Sequence, residues 1–186
     1  MATYFTSDTH FGDHRTLFMY RRPFGSVAEM DAAMVERWNT VVGPEDEVWH
    51  LGDFAVRYSA ERTSDLLRRL NGIKHLVVGN NDPATTTEAR EWESVQHYRE
   101  LVVDDVPVVL CHYAFRSWNG MYRGRLNLHG HSHGRLSSLK GQYDVGVDVF
   151  AFTPVTMAEI VASRPPKRRA KKAGAEAAVT VSKPGR

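Results

Sequence analysis

The fold of this chain is decided by the segment Lys74-His75-Leu76-Val77-Val78-Gly79-Asn80-Asn81-Asp82. Its apolar run is short and ends at a glycine, a pattern typical of a buried β-strand followed by a tight turn. Two earlier apolar runs, at residues 3–6 and 47–51, are followed in the same way by Asp8 and Asp53. In open α/β sheets, ligands bind outside the carboxyl ends of the strands. The sequence therefore predicts that polar side chains from several strands meet at one edge of a sheet.

Helix signals alternate with these strands. Ser26 and Glu29 form a capping box before an amphipathic segment that extends to Val41, and a second helix is predicted from Ser59 to the stop at Asn71-Gly72. The later part of the chain predicts four further strands, at residues 98–103, 106–111, 126–128 and 143–149. A capping box of Thr156 and Glu159 opens a last short helix. The predicted fold class is α/β.

Composition limits the kinds of site that the chain can hold. Its 186 residues fit one domain, and 42% hydrophobic residues are sufficient for a core. Cys111 is the only cysteine, which excludes an intrachain disulfide and a metal site built from several cysteines. The sequence has neither the roughly 20 apolar residues of a membrane span nor the pattern of a signal peptide. We therefore expect a cytoplasmic protein without a membrane partner.

Charge divides the chain near residue 163. Residues 164–186 contain eight Lys or Arg and one Glu, are rich in Pro and Ala, and show no hydrophobic periodicity. This composition is typical of disorder, and it also favours electrostatic attraction to nucleic acid. We predict a folded domain over residues 1–163 and a basic, disordered tail over residues 164–186.

Two later segments supply further metal-binding side chains. His112 follows an apolar run, and His131 and His133 lie two residues apart, on one face of an extended chain. Carboxylate and imidazole suit Mn, Fe, Zn, Ni or Co, and one carboxylate can bridge two such ions about 3.5–4 Å apart. Asp53 is the candidate for the bridge.

The ordered motifs of this chain resemble those of the calcineurin-like metallophosphoesterases. The matching positions are Asp8, His10, Gly52, Asp53, Gly79, Asn80, Asp82, His112, Gly130, His131 and His133. Residues 22–24 and 145–148 also resemble segments of a small bacterial and phage branch of that superfamily. The resemblance implies a four-layer α/β/β/α sandwich of two mixed β-sheets.

The same resemblance implies two divalent metal ions, manganese foremost, with Fe, Zn, Ni or Co as alternatives. The expected ligands of one ion are Asp8, His10, Asp53 and His133, and those of the other are Asp53, Asn80, His112 and His131. The family mechanism is an in-line attack of a metal-bound hydroxide on the phosphorus of a phosphodiester or phosphomonoester.

One position departs from the family pattern. Many members have histidine where this chain has Asn81, and an amide cannot donate a proton as a general acid. Esters with poor leaving groups should therefore react slowly. Asp82 is a candidate for orienting this loop, and Arg116, in the loop after His112, is a candidate for binding phosphate through its guanidinium.

The leading hypothesis is a dinuclear-metal phosphoesterase that acts on a small, nucleotide-like phosphorylated substrate. A nuclease is the nearest alternative: the basic tail favours it, whereas residues 1–163, in which acidic side chains outnumber basic ones, do not. A second alternative is a non-catalytic, metal-binding scaffold of the same fold, but all seven expected ligand positions are filled here. The choice between diester and monoester, the native metal pair and a homo-oligomeric state stay open.

Overall fold

The computed structural model of this protein describes residues 1–163, and the predicted tail lies outside the described residues. The strands are β1 Thr3–Thr6, β2 Glu47–His50, β3 Ile73–Val77, β4 Ser94–Gln96, β5 Arg99–Val103, β6 Val106–Leu110, β7 Leu126–His129, β8 Gln142–Asp144 and β9 Val155–Thr156. The α-helices are α1 His14–Met19, α2 Val27–Val41, α3 Ala60–Arg69, α4 Ala84–Thr87 and α5 Met157–Ala162, and a 3-10 helix spans Met121–Arg123. In the described part of the chain, no helix is long and apolar enough to cross a membrane.

Two mixed β-sheets form the framework. The first has the strand order β4-β3-β2-β1-β9, in which β1 to β4 are parallel and β9 is antiparallel to β1. The second has the order β5-β6-β7-β8, in which β5 and β6 form an antiparallel pair and the other pairs are parallel. The expected α/β fold with two mixed sheets is therefore confirmed.

Apolar side chains form two cores, one between the sheets and one on the outer face of the first sheet. Phe5 and Val77 of the first sheet belong to one buried cluster with Val108 and Leu128 of the second. A second cluster packs the apolar faces of α2 and α3 against the first sheet. These two cores fix the position of both sheets, and with it the relative position of their strand ends.

The outer face of the second sheet is covered by the loop between β6 and β7. Asn127 and Gln142 are buried on this face, where the Asn127 side chain accepts from the Phe115 backbone N–H and Gln142 donates to the Phe115 carbonyl. The Trp118 indole packs into the same layer and donates to the carbonyl of Arg125. This layer therefore consists of a loop with one 3-10 turn, tied to the sheet by buried amides.

Most predicted elements are present, but the short strands β4 and β9, the 3-10 helix and α1 were not predicted, and one predicted strand is shorter than expected. The capping boxes predicted at Ser26 and Thr156 open α2 and α5, although for Ser26 the observed cap is its hydroxyl accepting from Glu29 N–H. The strand predicted at residues 143–149 ends at Asp144, because the chain turns there and forms only an isolated bridge, from Gly146 to Ser7. Helix α1, which Asp13 caps, was not predicted because six residues are too few to show a period.

Candidate metal centre

The predicted ligands lie at the ends of strands in both sheets, and the structure brings them together. Six of the seven form two groups, and within each group the candidate ligand atoms lie within 4.8 Å of one another. The first, here the closed cluster, consists of the buried residues Asp8, His10 and His133. The second, here the open cluster, consists of Asp53, His112 and His131, of which His131 is exposed.

The backbone at these positions is strained. Asp8, His10, Asp53, His131 and His133 all have positive φ angles, of 59°, 50°, 59°, 65° and 47°. Left-handed φ is uncommon for residues other than glycine, and it concentrates at functional sites where the surrounding structure maintains it. Five of the seven predicted ligands are thus in a conformation that points to function rather than to local stability.

Two glycines of the motifs allow the strand ends to approach one another. A Cβ atom on Gly130 would lie 1.7 Å from Ser7 Oγ and 2.5 Å from Asp8 Oδ2. A Cβ atom on Gly52, where φ is +92°, would lie 2.6 Å from both His112 Nδ1 and the Gly79 backbone. The glycines in Gly-Asp and Gly-His therefore serve close packing of the ligand loops.

In the closed cluster, His133 is oriented by a chain of polar groups. Its Nδ1 lies 2.7 Å from Asp148 Oδ2, which leaves Nε2 directed at Asp8, 3.8 Å from Oδ1. Arg22 donates twice to the Asp148 carboxylate and also to the backbone carbonyls of Asp8 and Thr9. A histidine whose second nitrogen donates to a carboxylate is the usual arrangement of a metal ligand.

Asp8 is a fully buried carboxylate with few compensating charges. It accepts hydrogen bonds from the Ser7 hydroxyl and from the backbone N–H of His131. Burial raises its pKa well above the usual range, and the nearby carboxylates of Asp144 and Asp53 raise it further. A cation at this position would offset the cost of burying these negative charges.

His10 provides the clearest test of whether a cation fits. Both ring nitrogens are buried, and neither has a hydrogen-bond partner. Burial lowers the pKa of His10 to about 4, so the ring is neutral near pH 7 and has a free lone pair. Its Nε2 lies 3.4 Å from Asp53 Oδ2. Other buried histidines of the described residues lack a partner at one nitrogen, whereas His10 lacks one at both. A metal ion between His10 and Asp53 would satisfy Nε2.

The open cluster contains a second contact that fits a cation. His112 Nδ1 lies 2.7 Å from the Leu51 carbonyl, which can only accept, so this nitrogen carries the proton. In the neutral ring, Nε2 then presents a lone pair 3.0 Å from Asn80 Oδ1 and 3.6 Å from Asp53 Oδ2. Three electron-pair donors converge there, which is the donor set of a divalent transition metal.

Comparison with known proteins agrees with this geometry. Residues 1–148 match the model of the calcineurin-like phosphoesterase superfamily domain. The chain belongs to this superfamily. The resemblance inferred from the motifs is thereby confirmed, and the superfamily to which the chain belongs is one of hydrolases.

Three proteins of similar length resemble this chain. The uncharacterized protein MJ1445 of Methanocaldococcus jannaschii is 29% identical over 167 residues, which cover 85% of this chain and 88% of that protein. The gene 66 protein of Mycobacterium phage L5 is 28% identical over 185 residues, which cover 80% and 87% of the two proteins. The structure of AQ665, a protein of unknown function from Aquifex aeolicus, is 21% identical and has a TM-score of 0.71, covering 86% of this chain and 97% of that one. The last similarity shows the fold.

The loop that departs from the pattern of the superfamily supports the carboxylate between the clusters. Asn81 donates to both oxygens of Asp53, through its backbone N–H and through its side-chain amide, each at 2.8 Å. Asp82 accepts from the backbone N–H groups of Asp53, Phe54 and Gly79. Both side chains thus hold the loops after β2 and β3 together.

The site also includes residues to which the sequence assigned no role, and one predicted residue lies apart from them. Arg22 and Asp148 fall in segments that resembled the phage branch, yet their pairing across 126 positions was not foreseen. Arg116 is exposed, and within residues 1–163 its guanidinium makes no hydrogen bond or ion pair. A role for Arg116 in binding phosphate stays a prediction.

Proposed function

We propose that this superfamily member is a dinuclear-metal phosphoesterase that hydrolyses a small phosphodiester or phosphomonoester. The closed cluster together with Asp53 would bind one divalent ion, and the open cluster together with Asn80 would bind the other, with Mn²⁺ the first candidate. The observation that carries this proposal is the buried ring of His10, which has no hydrogen-bond partner at either nitrogen and lies 3.4 Å from the carboxylate between the clusters.

The chemistry follows from what each part supplies. Two bound divalent ions neutralise the oxygens of a phosphoryl group and lower the pKa of a coordinated water. The chain itself fixes the geometry: Asn81 holds Asp53, the carboxylate of Asp148 orients His133, and the Leu51 carbonyl orients His112. Because these groups are held before substrate binds, little reorganisation is needed during the reaction. The substrate would approach from the side of His131, the exposed ligand.

The test is metal-dependent turnover in the full chain and in an Asp53→Asn variant. Metal-stripped protein is assayed on p-nitrophenyl phosphate and bis-p-nitrophenyl phosphate, with Mn²⁺, Ni²⁺, Zn²⁺ or Mg²⁺ added back singly. Asp53 belongs to the open cluster and also adjoins the closed one, because its Oδ2 lies 3.4 Å from His10 Nε2 and 3.6 Å from His112 Nε2. Losing its charge should therefore weaken both metal sites and reduce kcat/KM by at least about a hundredfold.

Asp104→Asn is the matched control, because Asp104 is an exposed residue in the turn between β5 and β6 with a positive φ that asparagine tolerates. Equal turnover by the Asp53→Asn variant and the control would contradict the proposal. Metal binding without turnover of either ester would instead support the scaffold alternative. Faster cleavage of a polynucleotide than of either small ester would support the nuclease alternative.

A further inference from the structure

A small cavity lies beside the proposed metal centre. It has a volume of about 140 Å³, and His10 and Asn81 form part of its wall. The rest of the wall comes from α1 and from the loops after β1 and β2. Because His10 belongs to the closed cluster and Asn81 donates to Asp53, this side cavity adjoins the proposed metal centre.

Two arginines line the side cavity, and they differ in how they are held. The Arg57 side chain is 50% exposed, and its Nε lies 3.5 Å from Asp13 Oδ1. The Arg15 guanidinium is exposed and makes no hydrogen bond or ion pair within the described residues. One guanidinium is thus anchored beside the cavity, whereas the other is available to bind a ligand.

Asp13 contributes a negative charge to the wall of the side cavity, opposite in sign to the two arginines. It is buried, and its Oδ1 already accepts from the backbone N–H of Arg15 while it contacts Arg57. Its Oδ2 lies 4.0 Å from His10 Nδ1. With two guanidiniums and one engaged carboxylate, the side cavity has a net positive charge, and guanidinium groups match the planar oxygens of phosphate and carboxylate.

The size of the side cavity limits what it can hold. Pockets for drug-sized molecules are roughly 300–1,000 Å³, so about 140 Å³ accommodates a single charged group rather than a complete nucleoside. We propose that the side cavity binds a second anionic group, a phosphate or a carboxylate, of the same substrate whose ester is cleaved at the metal centre. This inference rests on the proposed function, and it specifies a substrate with two anionic groups a few bonds apart.

The test uses ligands that cannot be hydrolysed, so that it does not depend on turnover. Propylphosphonate carries one anionic group, whereas 4-phosphonobutyrate and propane-1,3-diyldiphosphonate add a carboxylate or a phosphonate on the same three-carbon linker. Their affinities for the manganese-loaded full chain are measured by calorimetry. At least one of the two-anion ligands should bind about tenfold more tightly than propylphosphonate, as charge-assisted hydrogen bonds predict. Whichever ligand is preferred identifies the anionic group.

Arg15→Gln and Arg57→Gln should each remove most of this preference, while affinity for propylphosphonate changes much less. Arg15 is the cleaner position, because its guanidinium has no structural contact to lose. Arg90→Gln, at an exposed residue outside the side cavity, should retain the preference and controls for net charge. Equal affinity for all three ligands, or a preference that survives in both variants, would overturn the inference. If the unaltered chain hydrolyses neither p-nitrophenyl ester but still prefers a two-anion ligand, the proposed function is overturned and the second anion site stands.

Discussion

The closed and open clusters contain similar side chains but differ in how they are held. In the closed cluster all three residues are buried, and Arg22 connects the Asp8 loop to His133 through Asp148. In the open cluster His131 is exposed. One cluster is thus enclosed and supported on several sides, while the other has one residue that faces solvent.

The two clusters also differ in the number of carboxylates that a bound ion would contact. The closed cluster contributes the carboxylate of Asp8 and adjoins that of Asp53, whereas the open cluster combines Asp53 with the neutral amide of Asn80. A divalent cation is bound more tightly by two carboxylates than by one. We expect the closed cluster to retain its ion, and the open cluster to exchange its ion more readily and to contact the substrate.

Removing one histidine from each cluster tests this comparison and should give the largest effects. His133→Ala should leave a single, weakly bound ion, and His131→Ala should leave a single, tightly bound ion. Both variants should lose at least about a hundredfold in kcat/KM, because two-metal catalysis needs both ions. Equilibrium dialysis against Mn²⁺, followed by elemental analysis, gives the number of bound ions and their affinities.

The matched control for these histidine variants is His97→Ala, since His97 is exposed beyond the end of β4 and lies outside both clusters. It should bind two ions as the unaltered chain does. If His133→Ala and His131→Ala leave ions of equal affinity, the two clusters do not differ as the structure suggests.

Asp148→Asn should have a smaller effect that is confined to the closed cluster. The Asp148 carboxylate accepts from Arg22 on both oxygens and from His133 on one, so an amide must turn an N–H group toward at least one of these donors. Replacing such a supporting carboxylate typically lowers metal affinity about 10- to 100-fold. Competition with a chromophoric chelator should show this loss for the tighter ion, with the weaker ion unchanged.

Asp105→Asn, in the exposed turn between β5 and β6, provides the comparison for that substitution. A uniform fall in affinity for both ions, accompanied by a lower melting temperature, would mean that Asp148 stabilises the whole domain rather than orienting one ligand.

The sequence predicted the residues that meet in the two clusters better than the groups that support them. Asp8 and Asp53 could be recognised because each follows an apolar run, and parallel strands end at a common edge. The pairing of Arg22 with Asp148 depends on how loops 126 positions apart fold against each other, which no local periodicity encodes. Helix α1, which forms part of the wall of the side cavity, was missed because it makes fewer than two turns.

Asn81→Ala should produce the smallest effect, and it separates two roles for this position. The side-chain amide donates to Asp53 Oδ2, while the backbone N–H that donates to Oδ1 remains in the variant. Losing one such hydrogen bond should lower kcat/KM by about two- to tenfold. Because an amide does not protonate a leaving group, the loss should be equal for p-nitrophenyl and unsubstituted phenyl esters. A loss confined to the phenyl ester would show instead that Asn81 assists the leaving group, through a bound water, rather than positioning the carboxylate between the two clusters.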